Sequence, residues 1–208
     1  MNKPTVFVVD DEEAVRDSLQ WLLESKGLKV ALFDSAEAFL AAYSPSLPGC
    51  LVVDVRMPGM SGLELQEKLA ELHYAIPVIF ITGHGDVPMA VSALKKGAVD
   101  FIEKPFGDKD MLRLVEQCLA LDRETREKNR AQAAAARRLA GLTEREIEVM
   151  DLIIAGKLNK QIADVLNISI KTVEVHRARI MDKMAVRTVA ELVQAVMPHR
   201  STQQGAEK

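Results

Sequence analysis

Five short apolar, β-branched runs, at residues 5–9, 28–33, 51–53, 76–81 and 99–102, recur along the first 121 residues, each followed by a helical pattern. The helical segments span 12–26, 36–43, 63–72, 87–96 and 109–121. Gly27 and Gly97 stand where two of these helices must stop, since a residue in the left-handed region after a helix favours glycine. Strict alternation of strand and helix leaves few arrangements. Parallel strands need crossover helices, the crossovers run right-handed, and helices then cover both faces of the sheet. The expected first domain, residues 1–121, is therefore α/β, a five-stranded parallel doubly wound sheet of flavodoxin type. Such sheets carry their working site beyond the carboxyl ends of the strands, where the crossover direction switches.

The residues leaving those ends are polar. Asp10 and Asp11 follow the first run, Asp54 the third, Thr82 the fourth, and Lys104-Pro105 the fifth. Singly, each has a plain use: Asp11 as a helix cap, Thr82 as a turn former before Gly83, Lys104 as a surface charge. Together, three carboxylates, a hydroxyl and an ammonium on one sheet edge single out a site. Carboxylates packed this closely repel unless a hard cation such as Mg²⁺ sits among them. Mg²⁺ commonly bridges carboxylates to a phosphoryl group, and an ionised aspartate can attack phosphorus.

Beyond residue 121 the character changes. Residues 122–140, DRETREKNRAQAAAARRLA, lack Gly and Pro and offer little to bury, which predicts a semi-rigid helical linker continuing the preceding helix. A frayed tether, or an arginine face on DNA phosphates, are the other readings. From 141 to 208 no strand pattern appears; four short helices are expected. Thr143 to Glu146 and Thr188 to Glu191 form capping boxes, Asn159 is expected to cap a second helix through Leu166, and Ser169 a third through Met184. The run Ile147, Met150, Ile153 and Ile154 marks the apolar face of the first helix, and Ile162, Ala163, Val165 and Leu166 that of the second. Val173, Ile180 and Met184 cluster on one side of the third, leaving Lys171, Glu174, Val175, Ala178, Arg179 and Asp182 on the other. A small helix with such a face suits the DNA major groove. Lys171, Thr172 and His176 are placed to approach base edges or phosphates, and Lys160, Arg177, Arg179 and Lys183 phosphates. His176 reads equally as a packed side chain.

Charge follows the same division. Residues 1–121 hold 11 Lys+Arg against 18 Asp+Glu, a balance of −7, whereas 122–208 hold 16 against 12, a balance of +4. An acidic half joined to a basic one implies two jobs, the second on a polyanion. Two cysteines, Cys50 and Cys118, exclude a multi-disulfide framework and an all-cysteine zinc site. No uncharged apolar run approaches the roughly 20 residues of a spanning helix, so no membrane partner is expected and a cytoplasmic location is.

FVVDDEEAVRDSL, LVVDVRMPGMSGLEL, VIFITGHGDVPMAV and GAVDFIEKPF resemble the signature segments of response-regulator receiver domains, most closely the FixJ type, over residues 4–121. The resemblance implies Asp54 as phosphoacceptor, Mg²⁺ held by Asp10, Asp11, Asp54 and the backbone carbonyl of Arg56, and Lys104 and Thr82 on phosphoryl oxygens. It further implies Phe101 as the switch aromatic, a cis Lys104-Pro105 peptide, and dimerisation through a surface with Val91, Lys95 and Ile102. LTEREIEVMDLIIAGKLNKQIADVLNISIKTVEVHRARIMDKMAVRTVAELV resembles the helix-turn-helix domain shared by LuxR, NarL and FixJ proteins. The expected function is a two-component transcriptional regulator and not an enzyme. A sensor histidine kinase would phosphorylate Asp54, and the resulting homodimer would bind double-stranded promoter DNA and activate RNA polymerase. An aspartate-nucleophile phosphatase would carry a second aspartate where Arg56 stands, and a phosphate-independent DNA binder with a relic receiver would not need the intact pocket.

Overall fold

The computed structural model describes residues 3–83 and 97–204, with side chains to 198. The chain divides into two compact units, Met1–Arg126 and Glu127–Lys208.

In the first unit the elements run β1 (Thr5–Val9), α1 (Glu13–Ser25), β2 (Lys29–Phe33), α2 (Ala36–Ala42), β3 (Gly49–Asp54), α3 (Gly62–Glu71), β4 (Val78–Thr82), β5 (Asp100–Glu103) and the start of α4 (Asp108–Ala140). All neighbouring strands are parallel, in the order β2-β1-β3-β4-β5. The order reverses between β1 and β3, whose carboxyl ends carry Asp10 and Asp54. The helix expected over 87–96, with Val91 and Lys95, lies outside the described residues.

Period-two alternation gives the sheet two cores. Phe7, Val9, Leu51, Val53, Val78 and Phe80 face α2 and α3, meeting Phe39, Tyr43, Leu65 and Leu69. Val6, Val8, Cys50, Val52, Ile79 and Ile81 face the other way, onto Leu19, Leu22 and Leu23 of α1 and Met111, Leu114, Val115 and Cys118 of α4. Both cysteines are fully buried, and burial pushes their thiols up, Cys118 to about 12. Packing is their role.

Several element bounds differ from expectation for local reasons. β4 starts at Val78 rather than 76 because Pro77 has no N–H to donate; its carbonyl still accepts from Leu51 N–H at 2.9 Å. At the other end the polar residues Asp54, Thr82 and Glu103 remain in the ladders, so apolar runs alone underestimate the strands. Gly27 takes φ +72° after α1, as expected of a helix stop.

The linker is helical: α4 continues unbroken from Asp108 to Ala140. Residues at the start of the expected linker are structural members of the first unit. Asp122, 3% exposed, accepts from Gly49 N–H at 2.9 Å and pairs with Arg126, whose guanidinium also reaches the carbonyls of Pro45 and Leu47.

The second unit holds the end of α4, then α5 (Glu144–Ile154), α6 (Asn159–Leu166), α7 (Ile170–Met184) and α8 (Val189–Gln204). Its core joins Leu142, Val149, Met150, Ile153, Ile162, Ala163, Val173, Ile180, Met184, Leu192 and Val196. Val165 is 61% exposed and leaves the apolar face assigned to it, because two residues along a helix from Ala163 is 200° around. Ile147 is 37% exposed, while Val149 joins Met150 and Ile153 inside. The Thr143–Glu146 capping box forms on both sides, and Ser169 caps α7 by accepting from Thr172 N–H at 3.0 Å. Asn159 does not cap α6. The N-cap is Leu158, which has no acceptor, and Gln161 Oε1 takes the Leu158 N–H instead, at 2.9 Å.

Candidate metal centre and nucleic-acid interface

Asp10 ends the chain's first buried run and is itself 0% exposed. Its Oδ1 accepts from Glu12 N–H at 2.9 Å, which turns the chain into α1. Arg16 Nη1 donates to the carbonyls of Asp10 and Asp11, at 2.7 and 3.0 Å, and fixes this turn. Asp54 closes β3 and is 7% exposed. Gly62 makes that placement possible: a Cβ there would stand 2.2 Å from the Asp54 carbonyl oxygen, so only glycine lets α3 begin against the strand end.

Lys104 joins the two aspartates. Its Nζ lies 3.0 Å from Asp10 Oδ2, 3.1 Å from Asp54 Oδ2 and 3.1 Å from Glu12 Oε1, and its peptide bond to Pro105 is cis. Burial works against the ammonium, but the hydrogen bonds it donates to Asp10 and Asp54 outweigh it and hold Lys104 above its ordinary value. Burial likewise raises Asp10, partly offset by the Glu12 N–H and Lys104.

Asp10, Glu12 and Asp54 bring ligand oxygens within 4.8 Å of one another. Two like charges at that range repel by about 3 kcal/mol at an effective dielectric near 20, and one ammonium neutralises only one of three carboxylates. An all-oxygen set of this charge fits a hard divalent cation.

Asp11, expected among the ligands, is not in this group. It is exposed, and Glu12, also exposed, is the third member of the group.

Thr82 is fully buried at the end of β4, its hydroxyl donating to Gly83 O at 3.2 Å; Lys104 N–H donates to Thr82 O at 2.8 Å. Phe101, opposite Phe80 in the ladder, is half-buried against the α2/α3 core, and Ile102 half-buried against the other. Arg56 is exposed, its N–H directed at Asp54 Oδ1 at 3.4 Å.

On α7 the expected division holds. Val173, Ile180 and Met184 are 0–1% exposed, and Lys171, Glu174, Val175, Ala178, Arg179 and Asp182 are all exposed. Thr172 and Lys160 are exposed as well, Thr172 Oγ1 lying 2.8 Å from Ser169 Oγ. His176 and Arg177 are half-buried; Nδ1 of His176 is shielded and has no partner among the described residues. Lys183, expected on a phosphate, is exposed, and its Nζ bonds Glu146 Oε2 at 2.7 Å.

Comparison with known proteins bears on both units. Residues 6–116 match the response regulator receiver domain, and residues 140–196 the LuxR family of bacterial regulatory proteins. The chain belongs to the FixJ-type response regulators. Among such regulators, FixJ of Rhizobium meliloti strain 1021 is 47% identical, over 95% of this chain and 97% of its own length. The transcriptional regulatory protein TdiR of Thauera aromatica is 46% identical, over 94% and 86%. The solved structure of the response regulator StyR superposes with a TM-score of 0.85 at 49% identity, covering 95% of this chain and all of that one. A response regulator of this type is a phosphorylation-dependent transcriptional regulator, with a receiver domain and a LuxR-type DNA-binding domain. Among the described residues no helix is long and apolar enough to cross a membrane.

Proposed function

We propose that Asp54 is the phosphoacceptor, with Asp10, Asp11, Asp54 and the Arg56 carbonyl holding Mg²⁺ and Glu12 beside them. The observation that carries the reading is the cage itself: Asp54 Oδ2 stands 3.1 Å from Lys104 Nζ, beside buried Asp10, at the reversal point of a parallel sheet. An Oδ of Asp54 attacks the phosphorus of a histidine kinase's phosphohistidine. The phosphorus–nitrogen bond breaks, and the imidazole nitrogen leaves with the electron pair. A cation held by Asp10, Asp11 and Asp54 would supply charge neutralisation as two anions approach. Lys104 exchanges a carboxylate partner for a phosphoryl oxygen, and Thr82 turns its hydroxyl from Gly83 O to another. Phe101, on the strand next to Thr82, repacks with it, and the surface bearing Ile102, with Val91 and Lys95, changes its pairing preference. The outcome is a homodimer whose two α7 helices bind related half-sites in promoter DNA and recruit RNA polymerase. The phosphoryl group serves as a signal, so no turnover enzyme is assigned, and the protein acts in the cytoplasm, where promoter DNA is.

Incubation with Mg²⁺ and a small phosphodonor will label the wild type and not Asp54→Asn, with sedimentation showing doubled mass only in the labelled sample. Labelling that survives in Asp54→Asn removes Asp54 from its role.

A further inference from the structure

The carboxyl end of α7 is held by contacts that no base or phosphate requires. Lys183 Nζ donates to Glu146 Oε2 at 2.7 Å and to Gly141 O at 3.2 Å. The same Glu146 oxygen accepts from Thr143 N–H at 2.8 Å, so one carboxylate closes the N-terminus of α5 and grips α7. Arg138 Nη1 approaches Met184 O at 3.4 Å, and Ala185, just beyond, takes the left-handed conformation, φ +52° and ψ +47°.

We infer that Lys183 is a positioning residue for DNA recognition, pinning the end of α7 to the N-cap of α5 through Glu146, and is not a phosphate contact. This rests on the DNA-binding role of the exposed α7 face. Two of the ammonium's three donors are spent inside the unit. Glu146 is 3% exposed, and the Lys183 and Thr143 hydrogen bonds that hold its carboxyl low keep it anionic, so on its own charge it opposes DNA. Val173, Ile180 and Met184 seat the helix through apolar contact, which is non-directional. A charge-assisted hydrogen bond at one end supplies the missing direction. Base-edge contacts need placement within about 0.5 Å, whereas phosphate contacts tolerate more.

The test uses the full chain, a duplex selected from a random pool with the wild type, and a mixed-sequence duplex, each over a range of NaCl. Lys183→Gln should bind the selected duplex about tenfold more weakly, with its mixed-sequence affinity and salt slope those of the wild type. Glu146→Gln should show the same loss although it removes a negative charge, and Lys183→Arg should restore binding. Arg179→Ala, in contrast, should lower the salt slope by about 0.9, the value of one phosphate contact. A slope lowered by about 0.9 in Lys183→Gln, or Glu146→Gln binding as tightly as the wild type or tighter, overturns the proposal. Should Lys183→Gln fail to fold, Glu146→Gln and Lys183→Arg decide the question. A wild type with no salt-dependent binding to either duplex would instead overturn the DNA-binding reading of α7.

Discussion

Two glutamates do work that their sequence neighbours do not advertise. Glu12 joins Asp10 and Asp54 around the Lys104 ammonium, and Glu146 is at once an N-cap partner and the anchor of Lys183. The Lys183 hydrogen bond, with the Thr143 N–H, holds the Glu146 carboxyl down to about 2, against an ordinary value of 4.5. A carboxylate lowered on folding stabilises the folded state above its unfolded value and loses that contribution as pH falls through its folded one. The second unit should therefore lose stability between pH 4.5 and about 2 more steeply in the wild type than in Glu146→Gln. Thermal melts at a series of pH values test this, and parallel curves would refute it. At neutral pH the variant should be less stable by about 1–2 kcal/mol, since the N-cap N–H of Thr143 and the Lys183 ammonium each lose an ionised partner.

At the scale of the element, helix ends decide most of what is specific here. Ser169 and Thr143 cap as their sequences predict, while α6 starts without a side-chain acceptor at its N-cap and uses Gln161 to close the gap. The far end of α7 closes on left-handed backbone. Asn167, ending α6, and Ala185, ending α7, both adopt left-handed backbone at φ +52°, but only asparagine tolerates it readily. Alanine there costs about 1 kcal/mol, so Ala185→Gly should raise the stability of the second unit by about 0.5–1 kcal/mol, read from chemical denaturation with an unchanged m-value. An unchanged or lower midpoint would show that the turn is not strained.

For the molecule as a whole, the question is where the receiver ends. Composition changes after residue 121, yet the packing that α4 makes with the first unit extends to Arg126. Asp122 supplies the acceptor for the buried Gly49 N–H, and Arg126 satisfies two loop carbonyls. Removing them leaves a buried donor unpaired, at about 1–3 kcal/mol. A receiver fragment ending at Leu121 should accordingly melt lower than one ending at Glu127; equal melting temperatures would place Asp122 and Arg126 with the linker instead. Beyond Arg126 the same helix continues into the second unit, where Leu139 packs against the core.

Much of this was legible in the residues. Period-two and period-3.6 patterns identified the parallel sheet, the two faces of α7 and the caps at Thr143 and Ser169, because those features depend on neighbours a few positions away. Strand ends also exposed Asp10, Asp54, Thr82 and Lys104 as a group, since a parallel sheet brings all its carboxyl ends to one edge. What the tertiary structure alone decided were pairings across long separations: Lys104 with Asp10 across 94 positions, Asp122 with Gly49 across 73, and Lys183 with Glu146 across 37. A lysine on an exposed helix face reads the same whether its ammonium meets solvent, phosphate or a buried carboxylate. Only the packing of one element on another selects its partner.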